Sequence, residues 1–348
     1  MKIHQTGRRV LGLLSLLVAL ALTAAACGSD DGADEEADAA STAEADEATT
    51  DETEDEAMED EEAMEDEEEA MEDEESAADF PVNVETSSGT ITIEARPERI
   101  VSLSPTATEM LFAVGAGDQV VAVDLFSNYP SEAPEPSLDG FTPDLEAILA
   151  NEPDLVIASG LPEDITAGLE AAGAVVMFNP SAASFDDIFD QVAQVGEASG
   201  NIDGAAAVNA EIRDGLDEIL ADLAAQGDAP VRVFHEIDDS FYTASSGSFI
   251  GQVYAELGFE NIADPLDDGS GFPLVDGEAI IAADPTLIVF TDQVSYGADD
   301  IAARPGWDQT TAVASGNILQ VDADIASRWG PRIVEFMRAV VDAVLVAS

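Results

Sequence analysis

Two arginines, Arg328 and Arg332, flank the turn Trp329-Gly330-Pro331 in a chain of 74 acidic and 11 basic residues. From Phe80 to Ser348 there are 46 acids, eight arginines and no lysine, a net charge of −38. A guanidinium in such surroundings either grips a ligand's carboxylates or phosphate through paired hydrogen bonds, or bridges elements through an internal carboxylate. Ligand contact is the expectation for Arg328. His235 ends an apolar strand beside Glu236, where a neutral imidazole could ligate a metal or simply bond a neighbour. Ser104, Asp124 and His235 are the residue types of a hydrolytic trio, but Ser104-Pro105 reads better as a helix cap than as a nucleophile. The chain has one cysteine, Cys27, and one other histidine, His4, which excludes a multi-histidine or thiolate metal site. No resident cofactor is expected, and no GxxxxGK[ST] phosphate loop occurs. Binding is favoured over catalysis.

A bulky, partly apolar ligand needs aromatic walls with a few placed polar groups. Phe126, Tyr129, Phe241, Tyr242, Phe272 and Trp329 are candidates, with ordinary packing as the alternative for Phe241 and Phe272. The elements that must position them alternate. Arg99–Leu103 reads as a strand, and Ser104-Pro105-Thr106 opens a helix that ends at Gly115 and Gly117. VVAVD is the next strand, leading into the loop Phe126-Ser127-Asn128-Tyr129-Pro130. A helix to Ala150, the strand DLVIAS, a helix from Pro162 to Ala172 and the strand VVMF follow. Residues 184–226 keep helical spacing with no strand. Alternation then resumes through VRVFHEI, SFIGQVYAELG, GEAIIAA, TLIVFTD, NILQVD and a last helix from Pro331 to Val346. Such alternation indicates an α/β fold with parallel sheets, whose ligands bind beyond the strands' carboxyl ends. The ligand candidates are therefore Ser104, Pro105, Thr106, Phe126, Tyr129, His235, Tyr242, Phe272, Arg328 and Trp329.

An internal match reinforces the division into two lobes. DLEAILANEPDLVI, residues 144–157, runs in step with DGEAIIAADPTLIV, residues 276–289, and places Glu146 and Glu278 in corresponding first helical turns. Ahead of the lobes, Lys2, Arg8 and Arg9 precede an uncharged apolar run from Val10 to Ala26, a signal-peptide pattern. Residues 30–79 hold 28 acids and no base, a single-sign block expected to be an extended, disordered spacer. The expected organisation is a leader over 1–26, an acidic linker over 27–79, an α/β lobe over 80–198, an inter-lobe helix over 199–228 and a second lobe over 229–348. The acidity excludes nucleic acid as a partner, because its phosphates require cations.

Ala24-Ala25-Ala26-Cys27 resembles a bacterial lipobox, which implies acylation of Cys27 and anchoring outside the cell by lipid. The stretches PERIVSLSPTATEMLFAVGAGDQVVAV, SNYP, LEAILANEPDLVIAS, SFIGQVYAELGFENIA and SRWGPRIVEF resemble the class III solute-binding lipoproteins of ABC importers for ferric siderophores, haem and vitamin B12. The last stretch resembles the arginine–proline–arginine turn of the B12-binding members. The resemblance spans Arg96 to Val346. It implies two Rossmann-like lobes joined by one long backbone helix over Ile202–Gln226, ligand in the cleft between them, and a monomer without enzymatic activity. It also implies an architectural Arg332, and Glu146 and Glu278 as docking residues for a dimeric permease driven by its ATPase. A ligand-sensing surface protein and a hydrolase on the same fold are the alternatives.

Overall fold

The computed structural model describes residues 80–227 and 230–346. The leader, Cys27 and the acidic linker lie outside the described residues. The described part opens with an antiparallel hairpin of β1 (Val82–Thr86) and β2 (Gly89–Ile93). Then come β3 (Ile100–Leu103), α1 (Pro105–Ala113), β4 (Val120–Val123), α2 (Leu145–Leu149), β5 (Leu155–Ala158), α3 (Glu163–Ala171), β6 (Val175–Phe178) and α4 (Phe185–Ser199). The long helix α5 (Ile202–Gln226) follows. The second half comprises β7 (Arg232–Glu236), α6 (Phe249–Glu256), β8 (Glu260–Asn261), α7 (Gly277–Ala283), β9 (Leu287–Thr291) and α8 (Ala298–Ala302). It ends with α9 (Thr311–Ser315), β10 (Ile318–Val321), α10 (Ala323–Ser327) and α11 (Ile333–Val346).

Local chemistry sets the helix boundaries. Ser104 caps α1 by accepting from the Ala107 amide, with Pro105 as first helical residue. Ser184 and Asp187 form a reciprocal capping box at the start of α4, and Gly200 ends that helix in the left-handed region at φ 77°. Asp144 and Asp276 cap α2 and α7.

The two parallel sheets repeat one topology. The first has strand order β4-β3-β5-β6 and the second β8-β7-β9-β10, read in the same direction. Ile100 pairs with Leu155 in one and Val233 with Leu287 in the other. The match between residues 144–157 and 276–289 is therefore structural as well as sequential. It extends to details the sequence did not expose. Glu152 and Asp284, at corresponding positions before Pro153 and Pro285, both adopt positive φ, at 48° and 50°. Arg99 donates to the carbonyls of Asn151 and Glu152, and Arg232 to those of Ala283 and Asp284. In both halves one guanidinium at a strand start thus satisfies carbonyls left open at the end of the neighbouring helix.

Alternate strand residues enter different cores. Ile100, Leu155 and Ile157 face one cluster, whereas Val101, Leu103 and Val156 face a second under α2 and α3. In the other sheet Val233, Leu287 and Val289 join the same first cluster, while Phe234, Ile288 and Phe290 face a third. The first cluster is continuous from sheet to sheet through Val208, Ile212 and Ile219 of α5 and Phe336, Met337 and Val340 of α11. Gly204 lets α1 approach α5, since a Cβ there would collide with the Val114 carbonyl. The sheets are separate, but their inner core is shared.

A polar clasp adds to this joint. Glu109 on α1 is buried and receives two guanidiniums from the chain beyond β10. Arg328 Nη1 lies 2.8 Å from Glu109 Oε1, and its Nη2 donates to the Phe126 carbonyl at 2.9 Å and faces Asp324 at 2.8 Å. Arg332 Nε reaches Glu109 Oε2 at 2.8 Å, while its guanidinium stacks 4.0 Å from the Tyr129 ring centroid. Glu109 raises the Arg332 pKa further, first through the hydrogen bond and then through charge. Arg332 is a structural bridge. Arg328, expected to touch ligand, is a second one: only 6% exposed, it gives its donors to Glu109, Asp324 and Phe126.

Removing one partner from a buried ion cluster strands the others without compensation. Glu109→Ala should therefore cost about 3–5 kcal/mol in denaturant unfolding, and Glu109→Gln, which retains an acceptor, distinctly less. Equal losses for both variants would show that charge is not what holds the clasp.

Candidate functional site

The carboxyl ends of the two sheets meet where the segment 324–332 crosses from β10 to the first half. Asn128 Nδ2 donates to Asp324 Oδ2 at 2.9 Å, beside the contact of Arg328 with the Phe126 carbonyl. On the first half, the loop after β4 is shaped by Asp124, whose Oδ1 accepts from the Phe126 amide at 3.1 Å and the Ser127 hydroxyl at 2.8 Å. Ser127 in turn meets Thr108 of α1, which donates to Ser102. Burial raises the Asp124 pKa, with the bonds from Ser127 and Phe126 opposing that shift. This buried polar chain turns the Phe126 side chain outward, 52% exposed, where it meets the edge of Phe141 at 5.4 Å between centroids. Phe141 is 81% exposed and was not singled out in the sequence, although its place after Leu138-Asp139-Gly140 puts it in a loop. Tyr129 is half-exposed over Arg332.

On the second half, the chain leaving β7 folds back antiparallel, with Tyr242 opposite Leu274. Phe241 takes φ 68°, uncommon for a bulky side chain, and stacks on Trp307 at 5.7 Å. Tyr242 consequently projects the other way and is exposed, as are Phe272 and Leu274. Glu236, fully buried at the end of β7, anchors this wall. It accepts from Arg304 at 2.5 and 2.7 Å and from the Tyr296 hydroxyl at 2.5 Å. Burial and then Glu236 push the Tyr296 phenol far above its usual pKa, so it stays a donor. The Arg304 guanidinium lies 4.7 Å from the Trp307 ring and 5.3 Å from that of Phe241. Neither this network nor Glu109 was identified from sequence. The only local signal is an acid inside an otherwise apolar helix or strand, TATEML for Glu109 and VFHEI for Glu236.

Three expected ligand contacts lie inside. His235 is 1% exposed, with Nδ1 2.6 Å from the Tyr254 hydroxyl, and burial holds its pKa down to about 4. The imidazole is therefore neutral at ordinary pH and occupied by Tyr254. Trp329, 8% exposed, packs on Phe249 in the shared core, and Arg328 belongs to the clasp. All three are closed to solvent. Ser104 is also buried: besides capping α1, its hydroxyl accepts from Ser159 at 3.0 Å. The side chains of Ser104, Asp124 and His235 bond Ser159, Ser127 and Tyr254 in turn and not one another, so no hydrolytic trio is assembled. Pro105 and Thr106 are half-buried at the crossing, with Thr106 close to Gly330. Phe126, Tyr129, Tyr242 and Phe272 remain open to solvent.

Of two depressions, the first lies away from this surface and the second shares Tyr129 with it. A depression of about 600 Å³ lies at the strands' amino ends, between Arg96 and the start of α5. A second, of about 350 Å³, lies behind the clasp between Phe112, Tyr129 and Pro331. Among the described residues no three His, Cys, Asp or Glu side chains converge as a metal-ligand set. Among them too, no helix is long and apolar enough to cross a membrane. Glu146 and Glu278 are exposed, each in the first turn of its helix.

Residues 100–325 match the family described as periplasmic binding protein. The cobalamin-binding protein of Halobacterium salinarum is 32% identical over 277 residues, covering 77% of this chain and 75% of its own. YvrC of Bacillus subtilis, named an uncharacterized ABC transporter substrate-binding lipoprotein, is 31% identical over 265 residues, covering 74% and 83%. The crystal structure of the vitamin B12 binding protein BtuF of Vibrio cholerae aligns with TM-score 0.60 at 27% identity, covering 72% of this chain and 98% of BtuF. Two like parallel sheets sharing one core, open aromatics at their carboxyl ends and a match over most of the folded chain lead to one conclusion: this chain belongs to the periplasmic binding protein family, whose members bind solutes and are not enzymes.

Proposed function

We propose that this protein is the lipid-anchored solute-binding component of an ABC importer. It acts as an extracytoplasmic monomer and captures a metal chelate, a ferric siderophore or cobalamin, between its two halves. The observation that carries this reading is the set of open aromatics at the carboxyl ends of two equivalent sheets: Phe126 and Tyr129 on one half, Tyr242 and Phe272 on the other. Grouped exposed apolar side chains mark surfaces that something covers, and flat apolar faces suit a corrin ring or the organic shell of a ferric complex. Pro105 and Thr106 line the floor at the crossing. Of the two ligands, cobalamin is favoured. The relatives from Halobacterium salinarum and Vibrio cholerae are named for binding it, and the turn at Arg328–Arg332 resembles that of B12-binding members.

Delivery follows from the repeat. Glu146 and Glu278 occupy corresponding, exposed first turns, where the helix dipole also favours a carboxylate. Two equivalent charges, one per half, suit two equivalent arginine-bearing permease subunits. Cys27 supplies the acyl anchor, and the acidic linker spans the distance from the membrane.

Three measurements test this reading. Cyanocobalamin should bind the purified protein in calorimetry, and Phe126→Ala with Tyr242→Ala should weaken binding by about 10- to 100-fold, since truncated aromatic contacts cost roughly 1–3 kcal/mol in all. Unchanged affinity would remove these walls from the site. Lysine at both 146 and 278 should abolish uptake driven by the importer while cyanocobalamin affinity stays constant; persistent uptake would end the docking role. Cys27→Ala should release the protein from the membrane fraction, and continued association would mean another anchor.

A further inference from the structure

Resting on the reading of the cleft as the ligand site, the charges around it define which chelates can enter. Every arginine among the described residues is engaged. Arg96, Arg99 and Arg232 stand before or at the start of strands, remote from the carboxyl ends, and bond main-chain carbonyls. Arg213 lies over Phe189, and Arg338 pairs with Asp222 of α5. Three arginines lie near the carboxyl ends: Arg304, which is held by Glu236, and Arg328 and Arg332, which share Glu109. Their side chains are 17%, 6% and 14% exposed, and the described residues include no lysine.

Acids, by contrast, remain open there. Asp139 precedes Phe141, Asp239 follows β7, Asp268 precedes Phe272 and Asp292 follows β9, all four exposed. Bonds from Thr142 and Phe141 lower the Asp139 pKa, so this carboxylate is charged at neutral pH. A ligand placed against Phe126 and Tyr242 thus meets aromatic faces and negative charge, with no uncommitted cation in reach. Binding an anion would require breaking the Glu109 or Glu236 pairs or desolvating a charge with no partner.

We infer that the cleft takes neutral or cationic chelates and turns away anionic ones. Selection is by the sign of the ligand's charge, acting on ligands of similar size and shape.

Matched probes isolate charge from shape. Calorimetry on the purified full-length mature protein would compare cyanocobalamin with its corrin monocarboxylic acid derivative, and ferrioxamine B, a cationic ferric hydroxamate, with its anionic N-succinyl derivative. At low salt the acidic member of whichever pair binds should be weaker by about tenfold or more, and the gap should narrow as salt rises toward 1 M, because exposed charges are screened. An acidic derivative that binds as tightly as its parent, or a gap indifferent to salt, overturns the charge rule alone, since the parent's binding upholds the site. Failure of both parents to bind removes the reading of the cleft, and the rule with it.

Discussion

The constraint on which this molecule depends is the apolar core shared by its two sheets. Strand residues facing inward from both halves, among them Leu155, Ile157, Leu287 and Val289, pack into one cluster with α5 and α11. Packing at the density of protein interiors resists sliding. The halves consequently cannot swing apart about a flexible strand or loop. The Glu109 clasp reinforces the same junction from its polar side, tying α1 to the start of α11. Freedom to move in such a body is left to the loops and side chains at the carboxyl ends, outside the shared cluster.

This rigidity explains why the aromatic surface is held from behind by polar groups. Asp124 orients Phe126, and Glu236 with Arg304 holds the strip bearing Phe241 and Tyr242. These acids are buried and satisfied, so each fixes a loop without presenting charge to the site. In an acidic chain with few arginines, assigning three of them to internal carboxylates leaves the rim with one sign of charge.

Much of the fold was legible because it is local. Caps at Ser104, Asp144 and Ser184, the apolar strands and the repeated helix–strand unit all lie within short windows of sequence. The site was legible only in part. Glu109 and Arg328 are 219 residues apart, and nothing near either announces the other. Trp329 and Arg328 read as ligand contacts because a bulky aromatic and a scarce cation in a loop invite that interpretation. Tertiary packing instead turned one into the core and the other onto a carboxylate. His235 was read as ending its strand, whereas β7 continues to Glu236, so the imidazole stays within the sheet beside Tyr254. Phe141 escaped notice because an exposed aromatic in a glycine–proline loop carries no period.

The arrangement of the inner core has a consequence for descent. Matching topology, matching left-handed residues and matching arginine caps are the marks of a duplicated ancestral unit. The two copies now share a helix, since α5 packs on α4 of the first and on α11 of the second. Cut between Gly200 and Ile202, the first fragment would bare the side of α4 that packs on α5, and the second would keep α5 without that partner.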